Sequence, residues 1–191
     1  MDTKYCYPDS DVLINKLNIR DSDKLSNVER ELIAHRQKDL LVHPISGQFD
    51  LKHLQAIHKH LFQDLYSWAG EIRTVDIAKS NLFCLTQFIQ SYADEIFEKL
   101  KSENYLIGLE KDEFVKRCAY YFCEINALHP FREGNGRSQR EFIRELALNA
   151  GWIIDWHKIT PEGMLKASIE SFNGNNLPMD NIFYKATKKD K

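Results

Sequence analysis

Twelve consecutive residues, 129–140, bring together the side chains of this chain that are best suited to chemistry on phosphate groups. They read His-Pro-Phe-Arg-Glu-Gly-Asn-Gly-Arg-Ser-Gln-Arg. The pattern around them is that of a helix, a loop and a second helix. The loop is therefore expected to open onto a helix N-terminus, where unpaired N–H groups and the helix dipole favour an anion. The run predicts a polyphosphate site.

The middle of the run predicts an anion-binding nest. Gly134 and Gly136 allow positive φ and let backbone N–H groups come close to an oxyanion. Asn135 tolerates left-handed geometry and offers a side-chain amide. Glu133 would repel a phosphate here unless a cation lay between them, and Mg²⁺ commonly bridges one carboxylate and substrate phosphates. The sequence therefore predicts a magnesium ion held by Glu133.

Two arginines and one histidine complete the predicted site. Arg137 and Arg140 are three positions apart in the first turn of the second helix, so both are expected to face the anion and bind its oxygens bidentately. His129 has the intrinsic pKa, about 6.5, that suits proton abstraction near neutral pH, and it is the predicted general base. Its place at a helix C-terminus favours the cationic form, which opposes that role unless burial offsets it.

Each of these residues also has an ordinary structural explanation. A histidine after a buried helix is more often a core residue, Gly-Asn-Gly is a common turn, and the charged side chains could form a solvated ladder. Their occurrence together within twelve residues, between two helices, favours a functional site.

Apolar periodicity predicts the elements that hold the loop, and these define an all-α fold with one β-hairpin. Helices are expected over 26–42, 51–65, 88–101, 111–128, 137–150, 161–172 and 178–187. Ser26 and Glu29 are predicted to form a capping box at the first helix. Residues 71–86 favour extended structure and predict the hairpin, with residues 79–81 at its turn.

The bulk properties predict one domain over residues 1–191 in a reducing cytoplasm. The length of 191 residues fits a single domain, and the net charge of -2 argues against a protein that coats nucleic acid. The four cysteines form no C-x-x-C pair, no export segment is recognisable, and no apolar run is long enough to span a membrane. The basic cluster near the end is expected to be a solvated tail: Lys185, Lys188, Lys189 and Lys191.

The string His-x-Phe-x-Glu-Gly-Asn-Gly-Arg-x-x-Arg resembles the signature of the Fic family. The flanking sequence agrees with this resemblance over nearly the whole chain. It includes residues 5–21, the stretch Ser-Trp-Ala-Gly-Glu-Ile-Arg-Thr at 67–74, Gly151-Trp152 and Asp155-Trp156.

The resemblance implies an all-α core and the transfer of AMP from ATP, with Mg²⁺, to a Ser, Thr or Tyr hydroxyl of another protein. It assigns deprotonation of the acceptor to His129 and the metal to Glu133. The remaining roles it implies are an anion hole for the α- and β-phosphates at Gly134, Asn135 and Gly136, contacts with the outer phosphates from Arg137 and Arg140, and packing of the loop by Phe131.

The predicted hairpin resembles the flap of this family, which aligns a target segment by adding it to a strand edge. The residues expected to dock the target are Ile77, Lys79, Ser80, Asn81, Leu82 and Phe83. The turn lacks a glycine. The alternative is that the hairpin only covers the core.

Many members of the family inhibit themselves through a Ser/Thr-x-x-x-Glu-Gly/Asn helix, and no such string occurs in this chain. The resemblance therefore implies restraint by a separate antitoxin-like chain, or none. The sequence makes no prediction of oligomeric state.

Other chemistries remain as alternatives. Transfer of UMP or phosphocholine is compatible with the motif, whereas the kinase-like members carry a lysine in place of Gly136. A nucleotide-binding regulator without catalysis is the alternative from another class. A P-loop or a dinucleotide site is excluded because the required glycine and lysine patterns are missing. His53, His58 and His60 lack the spacing of a metal site and are expected to be surface or packing residues.

Overall fold

The computed structural model describes residues 4–78 and 82–190, and within them the chain is mostly helical. The helices are α1 (Ser22–Val42), α2 (Leu51–Phe62), α3 (Ile89–Ser102), α4 (Lys111–Leu128), α5 (Asn135–Asn149), α6 (Pro161–Phe172) and α7 (Leu177–Ala186). Two short strands, β1 (Trp152–Ile154) and β2 (Thr187–Lys189), pair in antiparallel register. The predicted all-α class is confirmed.

Helices α4 and α5 lie at the centre of the fold. Helix α5 packs against α2 on one side and α4 on the other, and α4 also contacts α3 and α7. The apolar positions that recur along α4 are buried, as the period predicted: Phe114, Cys118, Tyr121, Phe122 and Ile125. The loop between these two central helices is therefore supported from both of its ends.

The first helix begins four residues earlier than predicted. Asp21 is its N-cap, with Oδ1 accepting from the backbone N–H of Lys24 at 2.7 Å. The predicted capping box of Ser26 and Glu29 is therefore wrong. The first three residues of α1, 22–24, are exposed and polar and carry none of the apolar period that located the rest of the helix, so the pattern placed its start too late.

In the described part of the chain, the two arms of the predicted hairpin form one isolated bridge and no strand ladder. Ala78 and Leu82 form an isolated antiparallel bridge, and the Phe83 N–H donates to Ile77 O at 3.3 Å. Side-chain hydrogen bonds also join the two arms of the predicted hairpin. For example, Asp76 Oδ1 accepts from the Thr86 N–H at 2.8 Å. Lys79, Ser80 and Asn81, predicted for the turn and for target docking, lie outside the described residues.

The pair of strands was not predicted. It ties the segment after α5 to the segment after α7, with Trp152 opposite Lys189 and Ile153 opposite Lys188. The prediction of a solvated tail is therefore wrong for the backbone of Lys188 and Lys189, although their side chains remain exposed. Among the described residues, no helix is long and apolar enough to cross a membrane.

Candidate active site

His129 is the residue at which α4 ends and the loop begins. Its N–H still donates to Ile125 O at 3.1 Å, but its own backbone is left-handed, with φ 44° and ψ 59°. The helix ends where Pro130 predicted. The residue before a proline usually takes an extended conformation, so the left-handed turn requires support from its surroundings.

The imidazole of His129 is oriented by two neighbours. Nδ1 lies 3.1 Å from the carbonyl oxygen of Asn126, and a carbonyl can only accept, so Nδ1 carries the proton of the neutral ring. The lone pair is then on Nε2. The ring also stacks on Phe83, with centroids 3.7 Å apart and planes 13° from parallel. His129 is 8% exposed and lines a cavity that also reaches the start of α5.

The other end of the loop opens onto the N-terminus of α5. Gly134 precedes the helix with φ 81°, and its carbonyl accepts from the N–H groups of Arg137 and Ser138, both at 3.1 Å. The N–H groups of Asn135 and Gly136, in the first turn, have no acceptor within the helix. Both residues line the same cavity as His129. This end of the loop thus has backbone donors at Asn135 and Gly136, and their binding of a phosphate stays a prediction.

The side chain of Asn135 closes the loop instead of facing the anion. Its Nδ2 donates to Phe131 O at 2.7 Å, and its Oδ1 accepts from Phe131 N at 2.9 Å. The predicted contribution of this amide to the nest is therefore wrong, because both of its polar atoms are already bonded within the loop.

Gly136 lies inside the helix and does not adopt positive φ, contrary to the prediction. A Cβ built on it would come within 3.3 Å of Arg140 Nη1. The missing side chain at Gly136 instead leaves room for this guanidinium.

The two motif arginines point in different directions. Arg140 lines the cavity, where burial and then the nearby charge of Arg137 lower the pKa of its guanidinium. Arg137 turns toward α1, where Nη2 contacts Glu29 Oε1 at 2.6 Å, and its guanidinium lies 4.8 Å from the centroid of the Phe62 ring. The expectation that both side chains face the anion is therefore wrong for Arg137 as the structure places it.

Glu133 lies at the rim of the cavity with its side chain 43% exposed. Its Oε1 accepts from the N–H of Gly134 at 2.8 Å and lies 3.5 Å from Arg137 Nη2. In the described ranges no cluster of three or more potential metal ligands occurs. One exposed carboxylate beside a phosphate site still fits Mg²⁺, because this ion is usually held by one or two carboxylates together with substrate phosphates and water.

The cavity has a volume of about 1070 Å³ and two chemically different ends. The loop and the start of α5 supply polar groups. The segment before α6 and the helix itself supply apolar walls, among them Trp156, Ile159 and Met164. Ile77 and Phe83 of the predicted flap line a further side. Leu82 is exposed beside them.

Phe131, predicted to pack the loop, is fully buried and stacks on His58 with centroids 3.9 Å apart. His58 in turn holds the loop by hydrogen bonds. The Gly70 N–H donates to Nδ1 at 2.8 Å, so the proton of the neutral ring is on Nε2, which donates to Glu133 O at 2.9 Å. Burial lowers the pKa of His58 to about 4, which keeps this tautomer neutral.

Three residues support the loop in ways that the sequence did not predict: Glu29, His58 and Arg73. His58 lies four residues after Leu54 and three before Leu61, a spacing that places it on the buried face of α2 and could have revealed it. Glu29 holds Arg137 and also accepts from the Tyr66 hydroxyl at 2.5 Å. Arg73 is buried and donates to the carbonyl of His129 at 2.8 Å. The partners of Glu29 and Arg73 are distant from them in the sequence, so no local sequence pattern could predict these contacts.

A helical core with an imidazole and a helix N-terminus facing one cavity is the arrangement of an enzyme that acts on phosphate groups. Residues 48–147 match the model of the Fic/DOC family, and the chain belongs to that family.

Relatives and solved structures agree with this assignment. The chain is 38% identical to Fic of Escherichia coli (strain K12), named a probable protein adenylyltransferase, over 97% of this chain and 92% of the relative. It is 48% identical to the protein adenylyltransferase VbhT of Bartonella schoenbuchensis over 90% of this chain, but it spans only 36% of that longer protein.

Among solved structures, the N-terminal Fic domain of a VirB-translocated Bep effector protein from Bartonella quintana was determined with bound ADP. It superposes with a TM-score of 0.94 at 32% identity and covers 98% of this chain and 95% of that one. The structure of BepC from Bartonella tribocorum, with bound AMPPNP, superposes with a TM-score of 0.93 at 29% identity. The match covers 98% of this chain and 97% of that one.

Proposed function

We propose that this protein is a protein adenylyltransferase, which moves AMP from ATP to a hydroxyl side chain of a target protein. One observation carries the proposal: His129, with its lone pair on Nε2, lines the same cavity as the N-terminus of α5 and the Arg140 guanidinium. A base, an anion site and a cation thus meet in one place.

The cavity suggests how ATP lies. Its phosphates are placed at the Asn135 and Gly136 N–H groups, with Arg140 on the outer phosphates. The adenine base is placed against the apolar wall that includes Trp156, Ile159 and Met164. The triphosphate thereby brings its α-phosphorus between the loop and His129.

In the proposed reaction, His129 Nε2 takes the proton of the acceptor hydroxyl while the hydroxyl oxygen attacks the α-phosphorus of ATP. The bond from this phosphorus to the oxygen that bridges it to the β-phosphate breaks, and pyrophosphate leaves. The imidazolium formed on His129 is favoured by the carbonyl end of α4. Backbone N–H groups of the α5 N-terminus stabilise the charge on the reacting phosphate. Glu133 would hold the magnesium ion, which when bound neutralises charge on the phosphates.

The acceptor is proposed to be a Ser, Thr or Tyr hydroxyl, carried past His129 by a segment that docks along the predicted flap near Ile77 and Leu82. We further propose a cytoplasmic location, which is consistent with the four unpaired cysteines. We also propose that a separate antitoxin-like chain restrains the enzyme.

Incubation of the purified protein with ATP labelled on the α-phosphate, magnesium and a cell lysate tests the function. We expect label on protein from α-labelled but not from γ-labelled ATP. Transfer of the γ-label would indicate a kinase, and no transfer from either ATP would leave only a nucleotide-binding protein.

His129→Ala is expected to reduce labelling by about 10² to 10⁴-fold, because it removes the general base, while ATP affinity stays within about threefold. Labelling at the wild-type rate in this variant would reject the assignment of the base.

Glu133→Gln is expected to raise the magnesium concentration needed for half-maximal labelling by about tenfold, because it removes the carboxylate charge that the protein supplies to the ion. A magnesium titration of initial rates measures this. An unchanged midpoint would show that Glu133 does not hold the metal.

A further inference from the structure

Arg73 is an arginine buried to 2% exposure beside the active-site loop. Its side chain donates to three backbone carbonyls. Nε donates to His129 O at 2.8 Å, Nη1 to Val75 O at 2.8 Å, and Nη2 to Cys84 O. Its own N–H donates to Pro130 O at 2.9 Å.

The three carbonyls belong to three separate segments of the site. His129 ends α4, Val75 lies on the chain entering the predicted flap, and Cys84 lies on the chain leaving it. The planar guanidinium presents donors on all of its edges, so one side chain can fix these segments relative to one another. A lysine ammonium also has three donors, but all of them are on one nitrogen, so it cannot reproduce the spacing of contacts made by Nε, Nη1 and Nη2.

The buried charge of Arg73 is matched mainly by these carbonyls. The nearest carboxylate, that of Asp76, is 3.8 Å away and its side chain is 48% exposed. Burying a charge without a close partner is unfavourable, so the position is better explained by the geometry that the guanidinium enforces than by an ion pair.

Two more contacts link the same segments. The Cys84 N–H donates to Ala127 O at 3.0 Å, in the last turn of α4. Phe83, the neighbour of Cys84, stacks on the His129 ring at 3.7 Å. The backbone of His129, the face of its imidazole and both arms of the flap are therefore joined around Arg73.

We propose that Arg73 is a positioning residue that couples the flap to the general base, so that the segment docking the target and the imidazole receiving its proton are held in one geometry. This inference rests on the proposed adenylyl transfer. Arg73 does not line the cavity, and it is therefore expected to act on transfer and not on nucleotide binding.

The test uses Arg73→Lys in the full chain, with Arg117→Lys as a matched control. Arg117 makes a two-point ion pair with Glu103 at 2.6 and 2.7 Å, away from the cavity, so its replacement removes a hydrogen-bonded, partly buried guanidinium without touching the site. We expect Arg73→Lys to lower the labelling rate about 10 to 100-fold and to leave ATP affinity within about twofold, since the reacting groups are misplaced and not lost. The control keeps both values.

Hydrogen exchange supplies a readout that does not depend on activity. In Arg73→Lys, amides of residues 74–78 and 82–86 are expected to exchange about tenfold faster, while those of α5 keep their protection. If the wild-type protein transfers no label, the proposed function fails, and this exchange measurement still decides whether Arg73 joins the flap to His129.

Several results would overturn the inference. One is unchanged exchange in the flap, and another is a loss of ATP affinity in step with the labelling rate. If circular dichroism shows that Arg73→Lys does not fold, Arg73→Gln replaces it, because this variant buries no charge. The same fall in labelling rate, unchanged ATP affinity and faster exchange are expected of it. Failure of both variants to fold would make Arg73 a structural residue only.

Discussion

The backbone of His129 shows how the end of a helix is fixed at the position of the proposed general base. A left-handed residue that is not glycine is strained, by about 1–2 kcal/mol, and persists only when its neighbours fix it. Here the Ile125 carbonyl holds its N–H, and Arg73 holds its carbonyl. The proline in the sequence predicted where the helix ends, but not this conformation, because Arg73 lies 56 residues away along the chain.

Gly134 combines a conformational and a steric requirement. Its φ is 81°, and a Cβ at this position would lie 2.2 Å from Cζ of the buried Phe62 ring. The ring cannot move freely, because it also stacks on His58 with centroids 4.6 Å apart. The loop therefore depends on the missing side chain for two separate reasons.

Gly134→Ala is expected to lower the free energy of unfolding by about 2–5 kcal/mol, the sum of left-handed strain and overpacking. Urea denaturation measures this. Gly108→Ala is the matched control, because Gly108 has φ 86° but open space around its Cβ position, so only the strain of about 1–2 kcal/mol applies. Equal losses of unfolding free energy in the two variants would contradict the contribution from overpacking against Phe62.

At the scale of elements, the sequence predicted well what depends on periodicity. Helix α4 has the predicted bounds because many apolar residues repeat along it, and α6 has them because Pro161 marks its first turn. The strands β1 and β2 were missed, since three residues carry no measurable period and their pairing joins distant segments. In the same way, the motif located the cavity residues, but the direction of Arg137 depends on Glu29 of α1, which no local pattern links to it.

Arg137 and Arg140, in the first turns of α5, are expected to contribute differently to ATP binding. Arg140→Gln is expected to weaken ATP binding about tenfold or more, because it removes a charged donor that lines the cavity. Arg137→Gln is expected to weaken it less than about threefold, because that guanidinium is engaged by Glu29. Calorimetric titration with ATP compares the two variants. A larger loss for Arg137 would show that its side chain leaves Glu29 when nucleotide binds.

At the scale of the whole molecule, the burial of His58 makes the stability of the fold depend on pH. The aromatic rings of Phe62 and Phe131 enclose its imidazole, and Arg137 is the nearby charge that opposes its protonation. In the unfolded chain the imidazole takes up a proton near pH 6.5, but in the folded protein only near pH 4. Below pH 6.5 the unfolded state binds more protons, so stability is complete above this value and is lost as the pH falls toward 4.

This difference predicts a loss of about 2 kcal/mol in the free energy of unfolding between pH 7.5 and pH 5 that belongs to His58 alone. Urea denaturation of the wild type and of His58→Gln at both pH values isolates it, because the other titrating groups are shared. The variant is expected to be less stable at pH 7.5 and to change less with pH. Parallel pH dependences would contradict the depressed pKa.

The placement of the tryptophans gives the molecule a built-in optical reporter. Trp68 and Trp152 are buried, whereas Trp156 forms part of the apolar wall of the cavity. A base that stacks there displaces solvent from a single indole, so a change in fluorescence emission on adding nucleotide reports occupancy of this wall without any dye.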